Sequence, residues 1–282
     1  VGDRYIGDLF WCGTYSYHTK GGRDTTVNSY CLERESAIQQ VGDILFGVSE
    51  KGKDSVAAKS PSQSNSVSSI PVPLQGAVSS GSGFFVGSEG YFITNAHVVE
   101  GAKDVKVYYS GETLNAEIIK VSKVADLALL KVQLQIAGLA IEEVEATPGD
   151  DVLAIGYPQP TIQGLEAKVT KGVISSSKGL DDDDTRFQID AAVQPGNSGG
   201  PLCNSHGNLV GVVVAGLNQI AMAAKTGSIP QNVNYAIKAS EVIALLRTKS
   251  ISYQTGQSID ETTTNNLSVK QAVQRSALVI VR

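Results

Sequence analysis

The fold prediction starts from the stretch Ser82-Gly83-Phe84-Phe85-Val86-Gly87-Ser88-Glu89-Gly90-Tyr91-Phe92-Ile93-Thr94. Two short runs of aromatic and β-branched residues flank a turn with two glycines, which is typical of adjacent β-strands. The pattern recurs and predicts strands at 82–87, 91–95, 104–109, 113–121, 127–132, 151–156, 165–175, 186–191, 208–215 and 233–237. Ten short strands separated by glycine turns favour an all-β protein, and they are enough to fill two small barrels.

The sequence around these strands divides the chain into four parts. Residues 1–48 are a polar, glycine-rich N-terminal extension with helical spacing of apolar residues over 35–48, and residues 49–79 are a Ser-, Lys- and Pro-rich loop or linker. The double barrel is predicted for residues 80–250, with a closing C-terminal helix over 239–248, where an apolar stripe lacks Gly and Pro. Residues 251–282 are predicted to be a polar connector and a last strand over 269–281.

Charge and hydropathy exclude two classes of partner. The 282-residue chain has a net charge of −5. Proteins that bind nucleic acids usually carry a basic patch, so no nucleic-acid partner is expected. No apolar run reaches the roughly 18 residues that cross a bilayer, so we expect no membrane span.

The positions of the cysteines indicate in which cellular compartment the protein works. Cys12 and Cys31 lie in one short polar segment, where a disulfide would stabilise the chain by about 3 kcal/mol. Two reduced thiols are the alternative.

The chain begins at Val1 without a charged and apolar leader, as it would after removal of a targeting segment. Together these features favour a secreted or periplasmic protein. Cys203, on a predicted strand, is expected to be a buried thiol.

One glycine-rich segment has the residues of a nucleophilic serine site. Gln194-Pro195-Gly196-Asn197-Ser198-Gly199-Gly200-Pro201 predicts a tight turn between two apolar strands. Such a turn presents the Ser198 hydroxyl and leaves the N–H groups of Gly196 and Ser198 free to converge, as stabilisation of an oxyanion requires. An ordinary structural turn is the alternative.

A serine nucleophile needs a base, and the sequence contains three histidines. His18 lies in the extension, and His206 lies in a predicted hairpin turn that faces solvent. His97 follows the strand 91–95 and begins a short helical turn, so the end of a strand presents it. His97 is therefore the candidate base, with a purely structural histidine as the alternative.

The base in turn needs a carboxylate that orients its ring. Asp126 directly precedes the alternating apolar segment 127–132 and lies at the mouth of that strand. Asp150 and Asp151 are predicted to lie in a surface turn. Asp190 ends a strand shortly before the serine turn and is the strongest competitor for a supporting role.

Five segments together resemble the HtrA/Deg branch of the chymotrypsin-like serine proteases. They are residues 82–86, 94–99, 126–132, 196–202 and 235–237. The order His, Asp, Ser also agrees with that group. The resemblance covers about residues 80–248 and implies two perpendicular six-stranded β-barrels with the triad between them. About 34 residues follow residue 248, so the resemblance is to a protease domain without a PDZ domain.

The resemblance also assigns catalytic roles to individual residues. His97 is expected to act as general base and then acid, Asp126 to orient it, and Ser198 to attack the scissile carbonyl. The N–H groups of Gly196 and Ser198 are expected to form the oxyanion hole, with Asn197 in the same turn.

In the family, residues at four further positions shape the pocket for the side chain before the cut. These positions are Val193, Val213, Val214 and Ala215. All four residues are small and apolar, so we expect a preference for small or medium aliphatic side chains.

The resulting hypothesis is a serine endopeptidase that hydrolyses unfolded or exposed polypeptides and needs no metal and no cofactor. The acidic run 181–184 would suit Ca²⁺, but adjacent like charges are more often a solvated loop, which is the favoured interpretation. The N-terminal extension could cap a strand edge, contribute to the interface of a homo-oligomer or replace a regulatory module. The main alternative is a latent or non-catalytic protein that uses the same fold for binding or chaperone-like work, and an esterase with the same triad is a third hypothesis.

Overall fold

A computed structural model describes residues 10–18, 24–31, 71–215, 232–256 and 265–282. The chain divides into two compact units, residues 1–65 and 66–282. In the first unit, strands β1 (Phe10–His18) and β2 (Asp24–Cys31) form an antiparallel two-stranded sheet. The pairing register shifts between Trp11 and Gly13, on either side of Cys12. Because the cysteine side chains lie outside the described residues, the Cys12–Cys31 disulfide stays a prediction, as does the helix over 35–48.

The second unit contains a first closed, antiparallel barrel of six strands. Its members are β3 (Ser79–Val86), β4 (Tyr91–Thr94), β5 (Val105–Tyr109), β6 (Glu112–Ser122), β7 (Leu127–Val132) and β14 (Ser276–Val281). The order around the barrel is β14-β3-β4-β7-β6-β5. The last strand of the chain therefore lies between the first and third strands of this barrel, and it pairs with both of them.

A second closed barrel follows along the chain. Its members are β8 (Asp151–Gly156), β9 (Lys168–Ser176), β10 (Arg186–Ile189), β11 (Pro201–Cys203), β12 (Leu209–Val214) and β13 (Asn234–Lys238). The order around it is β10-β13-β12-β11-β8-β9. The α-helices among the described residues of this unit are α1 (Ala96–Val99), α2 (Pro160–Gln163), α3 (Ala239–Arg247) and α4 (Asn265–Gln274).

The predicted all-β fold with two six-stranded barrels is confirmed. The ten predicted strands and the closing helix occur within a few residues of their expected bounds. The short strand β11 was not predicted. The predicted strand over 269–281 is wrong in its first half, because α4 continues to Gln274 and the strand begins at Ser276.

The alternation of side chains explains why β7 consists almost entirely of apolar residues. Ala128, Leu130 and Val132 point into the interior of the first barrel. Leu127 and Leu129 point the other way, into a cluster that also contains second-barrel residues and the helix α3. Since both faces of the strand are buried, neither face selects for polar residues.

The strand β14 is buried on both faces in the same way. Ala277, Val279 and Val281 complete the core of the first barrel. Leu278 and Ile280 pack with Leu74 and Tyr157, the residue that follows β8 of the second barrel. The final strand thus closes one barrel and attaches it to the other.

In the part of the chain that the structure describes, none of the helices has the length and apolar composition that crossing a bilayer would require.

Candidate active site

The first barrel holds His97 and Asp126 in direct contact. His97 lies in α1, immediately after β4, and Asp126 immediately precedes β7, which pairs with β4. The His97 ring nitrogen Nδ1 lies 2.8 Å from Asp126 Oδ2 and 3.0 Å from Oδ1. The backbone N–H of His97 also donates to Oδ1, at 3.0 Å. These contacts fix the ring so that its other nitrogen, Nε2, faces away from the carboxylate and is free to exchange a proton.

The backbone around Asp126 is bound as tightly as its side chain. Its carbonyl accepts hydrogen bonds from the Ala96 N–H, at 3.1 Å, and from the Asn95 side-chain amide, at 2.9 Å. Asp126 has a φ of 53°, in the left-handed region that non-glycine residues seldom adopt. Hydrogen bonds from three consecutive residues at the start of α1 hold this conformation, so the chain maintains a costly backbone geometry in order to place one carboxylate.

The second barrel supplies the serine turn, between β10 and β11. The Asn197 N–H donates to the Gln194 carbonyl at 2.9 Å, and the Gly200 N–H donates to the Asn197 carbonyl at 2.9 Å. Gly196 has a φ of 102°, and a Cβ there would lie 2.6 Å from the Tyr157 carbonyl. Only glycine fits this position without moving the neighbouring chain.

The Ser198 hydroxyl is buried and is bonded to the end of β12. It donates to the Ala215 carbonyl and accepts from the Ala215 N–H, both at 3.1 Å. In the described part of the chain the hydroxyl makes no hydrogen bond to the His97 ring. The structure therefore brings His97 and Asp126 together, and it places the Ser198 hydroxyl in hydrogen bonds with Ala215 rather than with His97.

The N–H groups of Gly196 and Ser198 have no acceptor among the described residues, as expected for donors that await an oxyanion. The Asn197 N–H differs, because it closes the turn on Gln194. The Asn197 side chain is also buried, and its Oδ1 lies beside Gly156 without a hydrogen-bond partner among the described residues. Of the three residues expected in an oxyanion hole, Gly196 and Ser198 have backbone N–H groups without an acceptor among the described residues. The Asn197 N–H instead stabilises the turn.

The four residues expected to shape the substrate pocket are all buried. Val193, Val213 and Ala215 pack in the core of the second barrel, and Val214 packs in the cluster between the barrels. Ala215 is the residue that binds the Ser198 hydroxyl. Residues 216–231, which follow Ala215 in the sequence, lie outside the described residues, so the size preference of the pocket stays a prediction.

The competing candidates have other roles. Asp190 is exposed, and its Oδ1 accepts the Val173 N–H at 2.7 Å. His206 lies in the turn between β11 and β12, where its N–H donates to the Asn204 side chain. In the acidic run, Asp183 binds Thr185 and Arg186, and Asp184 pairs with Lys178.

The sequence did not reveal the role of Ser82. Its hydroxyl donates to the Gly196 carbonyl at 2.6 Å and accepts the Tyr157 N–H at 2.8 Å, so a first-barrel side chain binds the serine turn of the second barrel. The sequence signal was weak, because Ser82 lies between two glycines in a strand that also contains Ser79 and Ser80.

Comparisons with known proteins find similarity to serine proteases in both sequence and fold. The trypsin-like peptidase domain family matches residues 81–212. The uncharacterized protein y4bJ of Sinorhizobium fredii is 41% identical over 194 residues, which are 68% of this chain and 31% of that protein. The probable periplasmic serine endoprotease DegP-like of Chlamydia trachomatis is 40% identical over 151 residues, which are 51% of this chain and 29% of that protein. Among solved structures, the HtrA-type protease AlgW with decapeptide matches 60% of this chain and 50% of that chain, with 29% identity and a TM-score of 0.50.

The double barrel and the matched family define a trypsin-like peptidase domain. Within that class, the chain is similar to HtrA/DegP-like serine proteases. It spans about a third of the length of the curated relatives it matches.

Proposed function

We propose that the protein is a serine endopeptidase in which Ser198 is the nucleophile, His97 the general base and acid, and Asp126 the residue that orients His97. The observation that carries the proposal is the double contact of His97 Nδ1 with the Asp126 carboxylate, at 2.8 and 3.0 Å. An imidazole held in this way keeps the tautomer in which Nε2 can accept the serine proton.

The proposed reaction begins with rotation of the Ser198 hydroxyl from Ala215 toward His97. The serine oxygen then attacks the peptide carbonyl as Nε2 takes its proton, and the N–H groups of Gly196 and Ser198 bind the resulting oxyanion. His97 returns the proton to the leaving amine, which departs and leaves an acyl-enzyme. A water molecule, activated by the same imidazole, then hydrolyses the acyl-enzyme.

The proposed substrates are unfolded or exposed polypeptides with a small or medium aliphatic residue before the cut. Support comes from Ala215, which contacts the Ser198 hydroxyl and whose small apolar side chain offers no charge to a basic substrate. Cleavage of matched peptide p-nitroanilides with Val, Phe or Lys before the bond tests this preference. Lys as the best residue would contradict it.

A fluorophosphonate probe tests the catalytic proposal. The wild-type protein should be labelled and should cleave unfolded casein, and the Ser198→Ala variant should do neither. A matched Ser205→Ala variant, changed in the turn that carries His206, should keep both properties. A folded wild-type protein that fails both assays would contradict the proposal for this chain.

One observation favours a second candidate function, a latent protease-fold protein. The Ser198 hydroxyl satisfies both of its hydrogen-bonding roles on Ala215. If a partner or peptide must release the hydroxyl, labelling of the isolated protein will be slow and will accelerate when an unfolded polypeptide is added. Rapid labelling that the polypeptide does not change would exclude latency.

We also propose that the protein works in the periplasm or outside the cell, with a Cys12–Cys31 disulfide. The DegP-like relative whose name includes a periplasmic location supports this assignment. Mass spectrometry of peptides under non-reducing conditions tests the disulfide, and recovery of both peptides with free thiols from the native source would contradict it. A homo-oligomer is a further part of the proposal, and light scattering tests it.

A further inference from the structure

Ser82 is a fully buried polar residue at the contact between the two barrels. It belongs to β3 of the first barrel, where it pairs with Leu278 of β14. Its polar groups nevertheless face the serine turn, which belongs to the second barrel. A hydroxyl at a buried position costs free energy unless it is fully hydrogen-bonded, so the buried Ser82 hydroxyl requires a donor and an acceptor among its neighbours.

Four hydrogen bonds connect Ser82 to its surroundings. Its N–H donates to the Ser198 carbonyl at 2.8 Å, and its hydroxyl donates to the Gly196 carbonyl at 2.6 Å. The hydroxyl also accepts the Tyr157 N–H at 2.8 Å, and the Ser82 carbonyl accepts the Thr94 hydroxyl at 2.7 Å. Ser82 therefore binds the serine turn at two residues, one on each side of Asn197.

Glycines surround Ser82 and allow this close approach. A Cβ on Gly199 would lie 2.3 Å from the Ser82 carbonyl, and a Cβ on Gly156 would lie 2.8 Å from its hydroxyl. A Cβ on Gly200 would lie 3.2 Å from the Ser82 Cβ. The glycines at the end of β8 and in the serine turn thus leave room for a serine side chain and little more.

The contacts of Ser82 bear on the geometry of the turn that carries the Gly196 N–H. In a trans peptide the carbonyl of one residue and the N–H of the next share one plane and point in opposite directions. The Pro195 carbonyl therefore fixes the direction of the Gly196 N–H, and the Gly196 carbonyl fixes that of the Asn197 N–H. The Gln159 N–H holds the Pro195 carbonyl, at 3.1 Å, on one side of Gly196, and the Ser82 hydroxyl holds the Gly196 carbonyl on the other side. Glycine has few steric limits of its own, so these two bonds select its conformation.

We infer that Ser82 is a positioning residue for the oxyanion-binding turn, acting across the barrel contact through the Gly196 carbonyl. The inference rests on the proposed function for its catalytic meaning, although the positioning itself is a property of the turn. Ser82 does not touch the substrate. Its removal leaves the Gly196 carbonyl without its partner, so the Gly196–Asn197 peptide plane is held less firmly and the N–H groups of Gly196 and Ser198 lose their fixed relative geometry.

Kinetics of a Ser82→Ala variant test the catalytic part. With a peptide p-nitroanilide substrate, we expect kcat to fall about 10- to 100-fold, less than for loss of a whole oxyanion donor, while KM changes less than about twofold. The matched control is Ser276→Ala, because Ser276 is equally buried and its hydroxyl binds only the Ala272 carbonyl of α4. An unchanged kcat in folded Ser82→Ala, or an equal loss in Ser276→Ala, would overturn the inference.

Amide hydrogen exchange tests the positioning without any activity. In peptides that cover residues 194–200, Ser82→Ala should exchange faster than wild type, and Ser276→Ala should match wild type there. Equal exchange in all three proteins would overturn the inference. If the wild-type protein proves inactive, the proposed function fails, and this exchange difference still decides whether Ser82 holds the turn.

A second variant covers the case in which Ser82→Ala does not fold. Ser82→Cys keeps a weaker donor and acceptor at the same atom position. We expect its kcat to be lower than that of wild type and of Ser276→Ala, by less than about 100-fold. Amide hydrogen exchange over residues 194–200 should be faster than in wild type. Wild-type kcat together with wild-type exchange in this variant would also count against the inference.

Discussion

His97 and Asp126 lie on the first barrel and are already joined by three hydrogen bonds, whereas the Ser198 hydroxyl lies on the second barrel and is bonded to Ala215. The proposed acid–base half of the site depends on neighbouring strands of one closed sheet. The proposed nucleophile half depends on a turn whose Ser198 hydroxyl is bonded to Ala215. The comparison indicates that the first barrel already fixes the orientation of His97, whereas the proposed mechanism requires the Ser198 hydroxyl to leave Ala215.

The sharpest way to break this comparison is to remove one member of each half. We expect Ser198→Ala and His97→Ala each to lower kcat by roughly 10⁴- to 10⁶-fold, because neither half works without the other. The double variant should be no worse than the single ones. Peptide hydrolysis with active-site titration measures the effect, and His206→Ala is the control that should keep wild-type activity. Additive losses in the double variant would contradict a joint role.

Asp126→Asn tests the acid–base half alone. An amide at this position retains the shape but presents an N–H to the His97 ring, so the ring adopts the wrong tautomer. We expect kcat to fall by about 10⁴-fold, with little change in KM. Asp190→Asn serves as the control, because the amide oxygen can still accept the Val173 N–H. An equal loss in both variants would show that Asp126 has no special role.

The closing strand β14 tests whether the first barrel depends on a distant part of the chain. Leu278 is fully buried against Tyr157 and Leu74, so Leu278→Ala should lower the free energy of unfolding by about 2–5 kcal/mol. Urea denaturation measures the change. Val124→Ala, at a side chain that is 99% exposed, should change stability by less than about 0.5 kcal/mol. A similar small change for Leu278→Ala would mean that β14 contributes little to the barrel.

The smallest expected effect concerns the thiol between the barrels. Burial raises the pKa of Cys203 from 9.0 to about 12. Between these values the unfolded chain releases a proton that the folded protein keeps, so stability falls as pH rises, by at most about 1.4 kcal/mol per pH unit. From pH 8 to pH 10, wild type should lose about 1.4 kcal/mol more than Cys203→Ala. Denaturant midpoints at both pH values measure this difference, and equal losses would contradict it.

Much of the fold could be predicted from local sequence. Glycine turns between β-branched runs specify where strands begin and end, since both signals act within a few residues. The partners of those strands are not specified locally. The apolar tail was expected to dock on the body as a strand, but its insertion between β3 and β5 depends on pairing with residues more than 150 positions away. The α4 helix escaped prediction because residues 265–274 have only a weak apolar stripe.

The candidate site shows the same division between local and distant information. Ser198, His97 and Asp126 could be proposed because each follows or precedes a recognisable strand. The Ala215 contact of the Ser198 hydroxyl depends on a rotamer, and the role of Ser82 depends on two barrels meeting. Neither is encoded in the spacing of residues along the chain.

The position of β14 has a consequence for the timing of protein synthesis. The ribosome makes the strands β3 to β7 first, and roughly 140 residues separate the end of β7 from the start of β14. At roughly 5–20 residues per second, the first barrel waits about 7 to 30 s for its sixth strand. During that interval the nascent chain exposes the unpaired edges of β3 and β5, on which a neighbouring chain could add a strand. A translating cell therefore has to shield this half-built barrel until residues 276–281 have been made.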